Sequence, residues 1–245
     1  MLKSPRRLFL PKSSSLSKDG FVVFQGQAGL FPKTRGPAKD CAESAAKAGG
    51  ELSTMLENYP KEIILRDGVG VSLRPLRQGD EDPLFDMYNR LPEEDRWFLD
   101  ADVSNIEMIR NWVRKAQGQG IVSIVGVLEG KIIAHATLAW NIHGAKSHIG
   151  KIGITVDPSF RERHLGTWLL LDLHNLAISV GLEVLLMPLV EDRDTSFIQG
   201  VRRLEFCEEA VLKNYVKDRE GNPRNLVIMV KRLRRGWGKI TDMVP

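Results

Sequence analysis

The sequence predicts an α+β (α/β) fold built on one mixed sheet, and three observations carry that expectation. Residues 148–190 read as strand, basic turn, helix and second strand, a parallel crossover unit. Two long apolar strands, 121–128 and 132–140, flank Glu129-Gly130, a tight-turn signal. Helical periodicity recurs between the first strands and this pair, and again after residue 194.

Each element follows from local chemistry. Ile63-Ile64-Leu65, a turn at Arg66-Asp67-Gly68 and Val71–Leu76 read as paired strands. Gln78-Gly79-Asp80 leads into a helix holding Leu84, Phe85, Met87, Tyr88 and Leu91. Pro92-Glu93-Glu94-Asp95 opens a further helical turn through Leu99. Ile106, Ile109 and Val113 share one face of a helix that ends before Gly118-Gln119-Gly120. The central strand runs to Val156 and stops at Asp157-Pro158, since proline has no N–H for a ladder. A helix starts near Leu165–Thr167, carries Leu169, Leu173, Leu176 and Val180 at helical spacing, and ends at Gly181. The strand that follows, 182–190, contains Pro188, which a fully paired central strand would reject. Asp194 is read as the cap of a helix over 195–204. Strands over 210–216 and 225–233, joined by a turn at 218–222, finish the domain.

The first 50 residues hold nine Lys/Arg against three Asp/Glu, which leaves 26 against 28 for the remainder. The basic balance therefore belongs to the N-terminal arm, and no basic stripe for specific nucleic-acid binding is expected on the fold. Residues 1–58 are read as a basic, largely disordered arm with a short helix near 40–58. Its composition is similar to that of a transit peptide, and an upstream start codon would equally account for it. The domain is placed at 59–233 and a basic tail at 234–245. No apolar run approaches the ~20 residues of a membrane helix. Cys41 and Cys207 show no metal spacing and suit a reducing cytoplasm, the expected location.

The turn Ser159–Gly166 carries the chemistry. A helix start presents unpaired N–H groups and the positive end of the helix dipole, both favourable to anions. Arg161, Arg163 and His164 add cationic side chains, and Gly166 lets a bulky group approach the backbone. Taken alone, the pattern fits either a phosphate site or a solvated basic turn.

Val156-Asp157-Pro158 followed by Arg161-Glu162-Arg163-His164-Leu165-Gly166-Thr167 resembles the acyl-CoA pyrophosphate loop of the GNAT N-acetyltransferases, Gln/Arg-x-x-Gly-x-Gly/Ala after a strand ending Val-Asp-Pro. Arg161 and Gly166 match, and His164 replaces the first glycine. Val71–Leu76 with Asp80 resembles the family's first strand, and Leu204-Glu205-Phe206 its Leu-Gly-Phe. Tyr59-Pro60 through Pro75 is similar, less specifically, to the acetyltransferase domain of bacterial protein-lysine acetyltransferases.

The resemblance implies the GNAT fold from about residue 60 to 233, in the order β-α-α-β-β-β-α-β-α-β-β. Its sheet is mixed and mostly antiparallel, with a splayed parallel central strand pair and flanking helices, and Pro188 falls on the splayed half. It implies acetyl-CoA as acyl donor and an amine acceptor, a small molecule or a protein lysine. Backbone groups of Ile154, Thr155 and Val156 would hold the pantetheine arm. Residues Arg161, Glu162, Arg163, His164, Leu165, Gly166 and Thr167 would cradle the pyrophosphate, and Asp194 falls where many members face the cofactor. Lys151 and Val201 stand where members commonly carry a glutamate base and a tyrosine acid. Glu191 or His148 is the substitute proton-transfer group expected here; water relay with catalysis by positioning is the alternative. A catalytically degenerate domain that senses acetyl-CoA is the competing function.

Overall fold

The computed structural model describes residues 56–99, 101–116 and 120–233. The arm before residue 56 and the tail after 233, with all but the last three residues of the helix expected near 40–58, lie outside the described residues. Among the described residues the chain forms eight strands: β1 (Lys61–Ile64), β2 (Gly70–Pro75), β3 (Ile121–Leu128), β4 (Lys131–Trp140), β5 (Ile149–Val156), β6 (Val184–Val190), β7 (Cys207–Lys217) and β8 (Pro223–Arg232). Five helices accompany them: α1 (Glu81–Asn89), α2 (Glu93–Trp97), α3 (Ile106–Lys115), α4 (Leu165–Ser179) and α5 (Thr195–Arg202). All strands join one sheet in the order β1-β2-β3-β4-β5-β6-β8-β7. The expected order is present, with the first strand region resolved into a hairpin and three helices preceding β3.

Each sheet face has its own core. Leu84, Met87 and Tyr88 of α1 and Ile109 and Val113 of α3 close one face over Val125 and Ile132. On the other face Leu165, Leu169, Leu170, Leu173 and Leu176 of α4, with Ile198 and Val201 of α5, cover Ala134, Ala136, Leu138 and Ile152. α2 buries no residue. Asp172, buried on α4, accepts from Lys61 Nζ at 2.6 Å and from the Tyr59 hydroxyl, which ties the start of the domain to that helix.

One pair of neighbours is parallel, β5 with β6, and it is short. Ile149↔Val184, Gly150↔Leu185 and Lys151↔Leu186 are in register, and no pairing follows. β5 nevertheless stays paired to β4 along its length, from Trp140↔Gly150 to Ala134↔Val156. β6 stays paired to β8 from Val184↔Arg232 to Val190↔Leu226. The two strands therefore splay beyond Lys151. The open stretch of β5 is five residues, roughly 16 Å at ordinary strand rise.

Candidate functional site

Strand periodicity decides which backbone groups face the gap. Asp157 donates its N–H to Ile133 O of β4 (2.9 Å), and backbone direction alternates along a strand. Thr155 therefore turns its peptide groups toward its β4 partner His135, while Ile154 and Val156 turn theirs into the gap. Thr155, grouped with them in the sequence reading, is thus set apart by the pleat. On the far side Val190 gives both peptide groups to Asp194: Val190 N–H donates to Asp194 Oδ2 (2.8 Å) and Asp194 N–H to Val190 O (2.8 Å). Glu191 N–H donates instead to Asn225 O, toward β8. Pro188, two residues before Val190, lies in the gap-facing phase, where a missing N–H breaks no ladder bond.

The chain leaves β5 through a braced corner. Asp157 Oδ1 accepts from Ser159 N–H (3.0 Å), and its Oδ2 from Arg90 Nε (2.6 Å) at the end of α1. Arg90 also donates to Ile132 O (2.6 Å). The turn then takes two left-handed steps, at Glu162 (φ 60°) and His164 (φ 67°), before α4 begins at Leu165. Histidine is among the few non-glycine residues that populate that region, so the replacement of glycine leaves the turn in place. The first helical N–H with a backbone acceptor is that of Trp168, which donates to His164 O (3.1 Å). Among the described residues, the six preceding N–H groups, 162 to 167, have no protein acceptor. They form a run of donors at the positive end of a 15-residue helix. A Cβ at Gly166 would lie 3.6 Å from the Phe197 ring and 3.9 Å from Val156 Cγ2, so the fold has room for one and the glycine keeps the approach to these donors clear.

The two arginines of the turn are already engaged. Arg163 pairs with Asp67 (2.6 Å) and stacks over Phe160 (5.3 Å). Arg161 pairs with Asp95 of α2 (2.6 Å) and donates from Nε to Val156 O (3.2 Å). Attraction for an anion here rests on the peptide N–H groups more than on free cationic side chains. Asp95 is the residue the sequence did not single out. Its other oxygen meets Arg193 Nε (3.1 Å), and only the 66- and 98-residue separations hid these pairings. Burial raises the Asp95 carboxyl, but Arg161 and Arg193 more than reverse this and hold it below the ordinary value.

The candidate proton-transfer groups are not brought together. His148 is exposed at the closed end, where its carbonyl accepts from Glu183 and Val184 N–H. Glu191 is exposed at the open end, seven residues beyond Val184 and roughly 23 Å from it at strand rise, and accepts from Asn225 Nδ2 (2.8 Å). Val201, where the resemblance places a tyrosine, is 1 % exposed in the core. Asp194 precedes α5, yet its side chain caps no helix N–H; it reaches back to Val190, which corrects the reading of it as a helix cap. Burial pushes its carboxyl up, with Arg193 and the Val190 N–H opposing.

On the α1/α3 face below Thr155, the Tyr88 hydroxyl meets His135 Nδ1 (2.8 Å), and Thr155 is its other polar neighbour. His135 Nε2 is buried without a partner among the described residues. Burial lowers the imidazole to about 4 and raises the Tyr88 phenol.

Comparison with known proteins matches this geometry. Residues 82–196 fit the family model for the acetyltransferase (GNAT) family. Solved structures with the same fold include an acetyltransferase of the GNAT family from Streptococcus pneumoniae (TM-score 0.61, 18 % identity, covering 66 % of this chain and 99 % of that one). They include the GNAT domain of S. lividans PAT (0.58, 15 %, 72 % and 100 %). A third is yncA of Salmonella typhimurium, solved with its cofactor acetyl-CoA (0.58, 20 %, 68 % and 96 %). No curated protein matches the sequence. The strand gap, the donor-lined turn and the family match over residues 82–196 together support membership of the GNAT family of acetyltransferases.

Proposed function

We propose that the protein moves an acetyl group from acetyl-CoA to an amine, a small molecule or a protein lysine. The observation that carries this reading is the gap beside Ile154 and Val156, which opens at the six free N–H groups of residues 162–167. A diphosphate suits those N–H groups, and an amide-bearing arm suits the unpaired edge of β5. Once the arm is threaded, the gap-facing N–H of Ile154 is available to the thioester carbonyl, where a donor stabilises the oxyanion that forms on amine attack. The amine must attack neutral, and the thiolate must leave with a proton. Neither His148 nor Glu191 has a partner that orients it for both tasks. Holding the two substrates together therefore carries the larger share of catalysis, with water moving the protons.

A second reading, an acetyl-CoA sensor without turnover, is favoured by the buried aliphatic Val201 and by the separation of His148 from Glu191. Thermal-shift titration with CoA and acetyl-CoA tests the cofactor, because a ligand of the folded state raises its stability. Thiol release over pooled amines and lysine peptides then separates enzyme from sensor. Gly166→Asp places a carboxylate among the N–H donors. It should weaken CoA at least about tenfold while leaving Tm unchanged or higher, because acids favour a helix start. Unaltered CoA affinity in that variant would remove the proposed phosphate site.

A further inference from the structure

The two strands that part at Lys151 and Leu186 are joined again at their far ends, by side chains. Val156, the last residue of β5, gives its carbonyl to Arg161 Nε (3.2 Å). Arg161 Nη2 meets Asp95 Oδ2 (2.6 Å), and Asp95 Oδ1 meets Arg193 Nε (3.1 Å). Arg193 Nη1 lies 3.4 Å from Asp194 Oδ1, and Asp194 Oδ2 accepts from the N–H of Val190, the last residue of β6. One unbroken polar chain thus runs across the mouth of the gap, from the final peptide group of one strand to that of the other. Asp95 is its middle link and the only member contributed by a separate element.

That element, α2, has no buried residue to hold it. It is fixed by Asp95, by Glu93 on Arg219 (2.7 Å), by Trp97 Nε1 on Lys217 O (2.8 Å) and by Phe98 under Arg193 (5.3 Å). All these contacts go to the turns at the open end of the gap. Asp95 is only 14 % exposed, so its two ion pairs are shielded more than surface pairs are.

We propose that Asp95 is a positioning residue that sets the width of the gap by bracing both strand exits, and so selects for the arm of an acyl-CoA. This rests on the reading that the gap receives that arm. Arg161 then acts as a strut between β5 and α2, not as a ligand of phosphate. Removing the link lets the exits drift apart or together, and an arm that needs both edges loses one of them.

The test compares two probes on the full chain by calorimetric titration. CoA carries the arm; adenosine 3′,5′-bisphosphate has CoA's nucleotide and no arm. Asp95→Asn should weaken CoA about tenfold, the weight of one shielded ion pair, and leave the bisphosphate within about twofold. Asp95→Glu should recover part of the loss. Arg193→Gln should reproduce it, and the Asp95→Asn/Arg193→Gln pair should lose no more than either alone. Unchanged or tighter CoA binding by Asp95→Asn overturns the proposal, as does equal weakening of both probes, which a disturbed loop would produce. If Asp95→Asn does not fold, Arg193→Gln carries the comparison alone. A wild-type chain that binds neither probe removes the cofactor reading itself, whereas wild-type binding with an indifferent Asp95→Asn removes only the brace.

Discussion

His164 (φ 67°) and Glu205 (φ 66°) hold the left-handed conformation at the two places where the resembling motifs carry glycine. The backbone path has been kept and the residue has changed, so each side chain sits where L-residues are disfavoured by roughly 1–2 kcal/mol. Glycine would relieve that cost and restore some freedom to the unfolded chain, which offsets part of the gain. His164→Gly and Glu205→Gly should each stabilise the fold by about 0.5–1 kcal/mol. Urea unfolding midpoints measure this directly, and a loss of stability in both variants would contradict the assigned geometry. These positions also mark what was legible at this scale. Arg161 and Gly166 could be placed by pattern. The survival of the turn at His164 could not, because a sequence does not state φ. Nor could the role of Asp194, whose type fits a helix cap but whose carboxylate turns backward to Val190.

Elements were easier to read than their partnerships. Pro188 announced that one side of β6 would be unpaired, and the strand phase accounts for which side. The pairing of α2 with the turns after β5, β6 and β7 had no comparable signal, since charged pairs across 66 and 98 residues leave no periodicity. The face formed by β4, α1 and α3 makes a prediction of its own. His135 of β4 is held neutral by burial, at about 4 against an ordinary 6.5. The unfolded chain binds its proton more readily than the folded one. The stabilisation is therefore complete above pH 6.5 and is lost as pH falls toward 4, by about 3 kcal/mol in total. His135→Gln keeps an acceptor for Tyr88 and cannot titrate, so it should flatten the dependence of unfolding free energy on pH between 6.5 and 4. The same slope in wild type and variant would show that other groups produce it.

Across the whole molecule, two cores are buried on opposite faces of one sheet, and α2 belongs to neither. Apart from the two shielded pairs of Asp95 it is held by exposed polar contacts, with no buried apolar residue of its own beneath it. In hydrogen exchange read by mass spectrometry, the amides of residues 93–97 should therefore exchange well before those of α1 and α3. Equal protection would mean that the polar contacts fix α2 as firmly as a core does. The basic excess lies before residue 51, so the described domain carries no broad positive field of its own.

The short parallel seam between β5 and β6 has a last consequence. The sheet is two leaves, one of five strands and one of three, sharing a spine of three residue pairs. A guest with peptide-like amides lying between them would serve as a ninth, borrowed strand and finish the ladder the polypeptide leaves incomplete. Occupancy and cohesion would then draw on the same few bonds, and the leaves would close as a book closes on its marker.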